Sequence, residues 1–466
     1  MKSEDTIASG GGATDTIAAV ATAVAPGVGS VAIVRVSGAG AEPIARRLFL
    51  APGDQAWESH RVLYGHVIDP GSGERLDEAL LLLMRAPRSF TREDVVEFHC
   101  HGGVVAVGRV LEQVLAAGAR RALPGEFSQR AFLNGRLDLT RAEALSELIT
   151  ARSRRAAQLA MAGLDGGLER RIGALRFRLL DQLAELEARV DFEEDLPPLE
   201  GGAVVAELES VRGELAALVA EAAQGRVLRE GLKVAIIGRP NVGKSSLLNA
   251  LSGSERAIVT ELPGTTRDLV ESELVLQGVP ITLLDTAGIR PTDDPVERRG
   301  IERSRSALAS ADAVLLLFDL SAGWGEADGA LRALVPEGVP LLVVGNKLDA
   351  VQPDAAAGGG VAGPADLAIS ALAGEGLGAL ATALLARCGA TLGSGLEVAL
   401  NQRQRDLAAE ASIALGRSLE AADQDLPWDF WTIDLRQAVR SLGAITGEEV
   451  NEAVLDRIFS RFCIGK

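Results

Sequence analysis

Gly238-Arg239-Pro240-Asn241-Val242-Gly243-Lys244-Ser245 follows the apolar run Val234-Ala235-Ile236-Ile237 and precedes Ser246-Leu247-Leu248-Asn249-Ala250-Leu251. The order is strand, glycine-bounded loop, helix, the context that a phosphate-binding loop requires. Gly238 and Gly243 allow backbone angles and close approaches that a Cβ would block, so successive N–H groups and the helix N-terminus converge on an anion. Lys244 is expected to bridge β- and γ-phosphates, and the Ser245 hydroxyl to ligate Mg²⁺. Asn241, Val242, Gly243 and Ser246 complete the expected contacts of this loop.

The segments downstream narrow the nucleotide. Asp285-Thr286-Ala287-Gly288 closes the apolar run Ile281–Leu284, where an aspartate can hold a metal-bound water and the Gly288 N–H can reach a γ-phosphate. Asn346-Lys347-Leu348-Asp349 ends another run. A carboxylate at Asp349 can accept from guanine N1–H and N2–H₂, a donor pair that adenine lacks, so GTP is favoured over ATP. Ser370-Ala371 supplies a backbone N–H for guanine O6. Between the first two motifs lies Pro263-Gly264-Thr265-Thr266-Arg267-Asp268. Thr265 is a further expected nucleotide contact and Thr266 the expected second Mg²⁺ ligand. Ile289, not glutamine, follows Asp-Thr-Ala-Gly, so the usual water-positioning side chain is absent and another group must orient the water.

Composition bounds the rest. With 466 residues, 47% of them hydrophobic, the chain can bury several cores and is expected to hold two or three domains. A net charge of −17 and 3% aromatics argue against a basic, base-stacking platform spread over the whole chain, so any RNA contact must be local or shared with a partner. Cys100, Cys388 and Cys463 lie far apart with no CxxC spacing, which supports neither a disulfide framework nor a zinc knuckle. The acidic start and the lack of a membrane-length apolar run point to a soluble, cytoplasmic protein.

In chain order, residues 1–135 read as mixed α/β. Ser30–Val36 and Ala79–Met84 have strand length, Thr91–Glu97 alternates toward His99-Cys100-His101, and an amphipathic helix follows over Val104–Ala117. His99 and His101 could present two ligands on one strand face, with no third ligand cluster in view. Residues 136–230 are helical: Leu164, Leu168, Ile172, Leu175, Leu179, Leu183, Leu186 and Val190 form one seam at steps of four and three, and Val204, Leu208, Val211, Leu215 and Leu218 form a second. Residues 231–391 alternate strands and helices, as a parallel sheet with flanking helices demands. Within them, 354–363 is a glycine-rich stretch expected to be a surface loop, and Leu392–Gly395 reads as a hinge. Residues 392–466 are helical again and are expected to pack with 136–230, the nucleotide domain being inserted between. The fold class is therefore multidomain, α/β plus all-α.

At this point the chain resembles the tRNA-modification GTPases called MnmE or TrmE over nearly its whole length. The carriers are Thr16–Ala19, Ile33–Gly38, Ser89–Asp94, His101–Gly103, Pro124–Asp138, the nucleotide motifs and the terminal Cys463-Ile464-Gly465-Lys466. The resemblance implies an N-terminal α/β domain that dimerises and binds 5-formyltetrahydrofolate or a related folate, a discontinuous helical bundle, and an inserted P-loop GTPase domain. It implies that the chain, with an FAD-dependent partner of the MnmG (GidA) type, places an aminomethyl or carboxymethylaminomethyl group on C5 of the wobble uridine of certain tRNAs. Matching positions imply Arg35, Glu97, Arg136 and Lys466 for the folate, although the family pattern usually has lysine where Arg136 stands, a change of geometry at constant charge. They also imply Asn241 as the marker of a K⁺ site, Glu297 as the group that orients water, and Cys463 as a residue of the tRNA chemistry. The alternative is a ribosome-assembly or other RNA-associated GTPase switch, which shares Asn241 and Gly264–Asp268 but would carry an RNA-binding appendage of the KH or OB type.

Overall fold

The computed structural model describes residues 15–27, 29–192, 201–254, 271–285, 307–351, 363–389 and 399–465. Thr265, Thr266, Gly288, Glu297 and Lys466, residues 354–362 and the 392–395 hinge lie outside the described residues. Two compact units result: Met1–Ser146 with Thr446–Lys466, and Glu147–Ile445.

The first unit is built on a seven-stranded sheet in the order β3-β4-β5-β6-β2-β1-β7. The strands are β1 (Ile17–Val20), β2 (Val31–Ser37), β3 (Phe49–Leu50), β4 (Arg61–Ile68), β5 (Arg75–Met84), β6 (Val95–His101) and β7 (Arg120–Arg121). Because side chains alternate along a strand, each strand sorts its residues between two faces. Ala32, Val34 and Val36 of β2 join Val96, Phe98 and Cys100 of β6 in the main core, under helices α1 (Ala41–Leu48) and α2 (Val104–Ala116). The intervening residues, Arg35 and Glu97, therefore share the opposite face, where they sit in register across the β2–β6 ladder. Ile17 and Ala19 of β1 pack there against Phe127 of helix α3 (Glu126–Leu133), with Phe90 at the edge.

The end of the chain belongs to this unit. Leu455, Phe459 and Phe462 bury against Leu139 and Ala142 at the start of α4 (Leu139–Thr150), and Gly125 N–H donates to the Cys463 carbonyl at 3.3 Å. Gly465 turns with φ +91, and a Cβ there would stand 2.7 Å from the Val20 carbonyl oxygen, so only glycine lets the tail lie on β1.

The second unit joins a helical core to a nucleotide-type sheet. In the helical part, which opens with α5 (Arg154–Leu164), the helices α6 (Gly167–Phe192), α7 (Gly201–Glu230), Gln402–Asp423 and Trp428–Thr446 share one apolar core. The first leucine seam is real but shorter than its spacing suggests. Leu168 to Leu186 are buried, whereas Leu164 ends α5 before the Asp165–Gly166 turn and Val190 is exposed. The two flanking helical sections do pack together, as expected, up to Ile445.

The sheet runs β13-β12-β11-β8-β10-β9, with β8 (Leu232–Gly238), β9 (Glu271–Leu276), β10 (Val279–Asp285), β11 (Ala313–Asp319), β12 (Leu341–Asn346) and β13 (Leu367–Ala368). It is parallel apart from β9, which pairs antiparallel with β10 across a Gln277–Gly278 turn. The sequence reading found the apolar runs of β8, β10, β11 and β12 and missed β9. Glu271-Ser272-Glu273-Leu274-Val275-Leu276 is polar in its first half and buries only Leu274 and Leu276 at a sheet edge, so its apolar run is too short to read as a strand.

An ion network anchors the start of the first unit. Arg130, 8% exposed, donates to Asp15 at 2.7 Å and to Glu93 at 3.1 Å, and reaches Glu126 at 3.2 Å. Arg120 bridges Asp15 and Glu126 as well. Burial by itself would raise the Asp15 and Glu126 carboxyls, but the two arginines outweigh it and hold both below the ordinary carboxylate range. Their folded pKa values lie below the unfolded ones, so their contribution is complete above the unfolded pKa, about 4, and is lost as pH falls below it. Arg130→Met takes the arginine partner from Glu93 and one of two from Asp15 and Glu126, and is expected to cost about 3 kcal/mol at pH 7. Urea denaturation should show that deficit narrowing below about pH 4 as the carboxyls protonate; a deficit constant from pH 7 to pH 3 would contradict the assignment.

Candidate nucleotide and folate sites

The P-loop leaves β8 at Gly238 and enters α8 (Lys244–Ser254). Asn241 and Gly243 both have positive φ, +63 and +97, so the loop curls with its N–H groups turned inward. Lys244 Nζ folds back and donates to the carbonyls of Gly238 at 2.8 Å and Arg239 at 3.0 Å. Ser245 and Ser246 are exposed on the first turn of α8, as is Asn241 on the loop, whereas Val242 is buried.

The guanine-side motifs meet the loop through one buried side chain. Asn346, 2% exposed, donates from Nδ2 to the Val242 carbonyl at 2.8 Å and accepts at Oδ1 from Ala371 N–H at 2.9 Å. A single amide thus joins the P-loop to the Ser370–Ala371 turn. Ser370 Oγ donates to Asp349 Oδ1, and Ala373 N–H donates to Ser370 Oγ at 3.0 Å, so the turn and the base-reading aspartate are tied as well. Asp349 is exposed, its other carboxylate oxygen open to a base. Lys347 takes φ +66 and pairs with Asp319 at 2.6 Å.

Sequence reasoning missed Asp319, Arg239 and Asp328. Asp319 ends β11 level with Asn346 on β12, a register that strand ends alone could have flagged. Burial would raise its carboxyl, but Lys347 and Ser321 together hold it below the ordinary range. Arg239 of the P-loop pairs at 2.8 Å with Asp328, which is fully buried and also caps Gly325 N–H. Nothing in the local sequence marks that pair.

Asp285 ends β10 opposite Ile236 of β8, beside the P-loop strand. Mg²⁺ prefers hard oxygen ligands and keeps several waters; the exposed Ser245 hydroxyl at a phosphate-binding turn fits that donor set.

The folate candidates gather on the second face of the first unit. Arg35 Nε donates to Glu97 at 2.8 Å, its Nη1 donates to the Gly465 carbonyl at 3.1 Å, and its guanidinium lies 5.7 Å from the Phe127 ring centre. Arg136 lies 5.7 Å from the Phe90 ring centre and donates to the Ser89 carbonyl at 3.3 Å. Since Phe90 packs on the cluster that holds Phe127, Arg35, Glu97 and Arg136 bracket one small aromatic patch. The buried Glu97 carboxylate suits the N–H edge of a pterin, and the arginines suit carboxylates, so these residues fit a folate. His99 Nε2 sits 3.2 Å from Glu97 and His101 Nδ1 2.6 Å from Asp77, and no group of three or more metal-ligating side chains occurs among the described residues. Burial pushes the Cys100 thiol up to about 12 and Cys388 up to about 11, while Cys463 is exposed.

A P-loop sheet carrying guanine-type motifs, flanked in sequence by a helical core, defines a GTP-binding protein. The comparisons are more specific. A model described as "GTP-binding protein TrmE N-terminus" matches residues 16–136, and one described as "MnmE helical domain" matches residues 139–463. The tRNA modification GTPase MnmE of Synechococcus sp. (strain RCC307) is 71% identical over 97% of this chain and 98% of its own length. Its namesake from Prochlorococcus marinus (strain MIT 9313) is 66% identical over 97% and 98%. Among solved structures, a point variant of Aquifex aeolicus Era bound to GDP.AlF4- aligns at 29% identity over 39% of this chain and 66% of that chain, with a TM-score of 0.28. The chain belongs to the MnmE family of tRNA modification GTPases.

Gly243 tests the clamp. A Cβ there would collide with Asn346 Nδ2. Gly243→Ala is expected to break both Asn346 bonds at a cost of about 3 kcal/mol, which is about 100-fold in affinity if it falls on binding. Titration with a fluorescent GTP analogue should show that loss; unchanged affinity would mean that the clamp does not shape the loop.

Proposed function

We propose that this chain hydrolyses GTP in order to drive modification of tRNA. With an FAD-dependent partner of the MnmG (GidA) type, it would add an aminomethyl or carboxymethylaminomethyl group to C5 of the wobble uridine. The observation that carries this reading is the family match at both ends of the chain, 16–136 and 139–463, around a complete set of guanine-reading residues. The nucleotide contacts proposed are Asn241 to Ser246, Thr265, Thr266, Asp285, Gly288, Asn346, Lys347, Asp349, Ser370 and Ala371. Ser245 and Thr266 would hold Mg²⁺, Asn241 would mark K⁺, and Glu297 would orient water.

The one-carbon chemistry is assigned to the first unit. Arg35, Glu97, Arg136 and Lys466 would hold 5-formyltetrahydrofolate or a relative, which supplies a one-carbon group when bound. Cys463 stands two residues before Gly465, whose carbonyl Arg35 grips, and its exposure leaves the thiol accessible. Homodimerisation through this unit is favoured by the uncovered apolar part of the same sheet face: Val62, Tyr64 and Leu80 are 58%, 46% and 45% exposed on paired strands. We assign the chain to the cytoplasm; no helix among the described residues is long and apolar enough to cross a membrane.

Two experiments separate the parts. Asp349→Asn should weaken GTP and favour xanthosine triphosphate, whose base offers an acceptor to the new amide. A wild type that hydrolyses ATP as fast as GTP would overturn the base assignment. In the same assay, equal rates in K⁺ and Na⁺ at matched ionic strength would remove the K⁺ site, and full activity in Glu297→Ala would remove the water assignment. Cys463→Ser should leave GTP hydrolysis near wild type while wobble-uridine modification, read by nucleoside mass spectrometry, disappears; normal modification would rule out an essential thiol.

A further inference from the structure

The chain carries 64 acidic and 47 basic residues, and much of its described arginine is engaged by carboxylates. Arg35 pairs with Glu97, Arg46 and Arg85 with Glu42, Arg120 and Arg130 with Asp15 and Glu126, and Arg178 with Glu207 and Glu214. Arg88, Arg92 and Arg136 differ. All three are exposed, and none has a carboxylate partner among the described residues. The loop 88–92 and the turn 134–136 are tied to each other: Arg92 Nη1 donates to the Asn134 carbonyl at 3.0 Å, Asn134 Nδ2 donates to the Thr91 carbonyl at 2.6 Å, and Arg136 Nη1 donates to the Ser89 carbonyl at 3.3 Å. The loop that carries Arg88 and Arg92 and the turn that carries Arg136 are therefore one small piece of surface.

Nearby acids are already committed. Glu93 accepts from Arg130 and Ser37, Asp94 accepts from Ala86 N–H, and Asp138 accepts from Thr140 and the Arg141 backbone. Glu93 and Asp138 are also paired with arginines outside the patch, Arg130 at 3.1 Å and Arg141 at 3.4 Å, so neither is free to answer Arg88 or Arg92. Arg92 adds a backbone observation, for its φ is +59. That region suits glycine or asparagine and strains a long side chain, and such strain persists where function holds it. Here neither burial nor an ion pair compensates it.

We infer that Arg88 and Arg92, next to the Arg136 already assigned to folate, form a docking patch for the phosphate backbone of RNA, an inference that rests on the tRNA reading above. Planar guanidinium forks match phosphate oxygens, and several on one face follow a backbone without reading its bases. Arg136 also borders the aromatic patch assigned to folate, so RNA held here would lie beside the one-carbon donor. The competing occupant with the same anionic chemistry is the oligoglutamyl tail of a folate; exposure of all three arginines on an open surface favours the larger polyanion.

The test uses the full chain and an unmodified, fluorescently labelled tRNA transcript, with binding followed by anisotropy from about 50 to about 200 mM KCl. Arg92→Gly removes both the guanidinium and the strain, so its melting temperature should equal or exceed wild type while tRNA affinity falls about 5-fold and the salt slope shallows by about one. Arg88→Ala should do the same to affinity, and the double variant should compound the loss, with GTP hydrolysis unchanged in each. Wild type that fails to bind the transcript would overturn the tRNA reading and the patch with it. Wild type that binds, with variants that bind equally well, would overturn the patch alone. Variants that keep tRNA affinity but lose a preference for oligoglutamyl over monoglutamyl folate would assign the patch to the folate tail and overturn the RNA proposal.

Discussion

The nucleotide site depends on one buried amide. Asn346 bonds the Val242 carbonyl on one side and the Ala371 N–H on the other, and both partners would be left unsatisfied in a dry interior without it. Each such loss costs roughly 1–3 kcal/mol, enough to reshape a loop whose own curl already requires positive φ at Asn241 and Gly243. The P-loop and the guanine-reading turn are consequently one object. The Lys347–Asp319 pair and the Ser370–Asp349 bond extend it across the ends of β11 and β12, where ligands of open α/β sheets bind.

A second constraint organises the other unit. The two-residue period of β2 and β6 sends Val34 and Phe98 to the core and, by necessity, Arg35 and Glu97 to the opposite face. The main core requires the first set, and the second is left for the site proposed to hold the one-carbon donor. The tail then closes on this face through Gly465, whose carbonyl Arg35 holds, which brings Cys463 into the same unit although it lies 428 positions further along the chain than Arg35.

Much of this was legible in the sequence, for definite reasons. The four apolar runs of the nucleotide sheet and the motif at the end of each were readable because buried parallel strands give continuous apolar stretches. The leucine seam was readable because a helix must repeat its buried face. What escaped depended on register or tertiary contact. β9 hid as a half-polar edge strand; β6 lies at Val95–His101, later than the alternation from Thr91 suggests, because Thr91 and Glu93 turn inward to bond Ser37 and Arg130. The Arg239–Asp328 pair joins residues with no local signal. That residues from Thr446 onward group with the N-terminal sheet follows from Phe459 and Phe462 burying against Leu139, a choice of partner that helical periodicity cannot express.

Two chemically distinct sites in one chain make sense if GTP hydrolysis serves a reaction on another molecule, and family membership points to tRNA as that molecule. The most direct measurement is mass spectrometry of wobble nucleosides in tRNA from cells that lack this chain, before and after it is restored. Loss of the C5-substituted uridines on deletion, and their return with the restored chain, is the expected result. Wobble uridines that stay fully modified in its absence would contradict the proposed function.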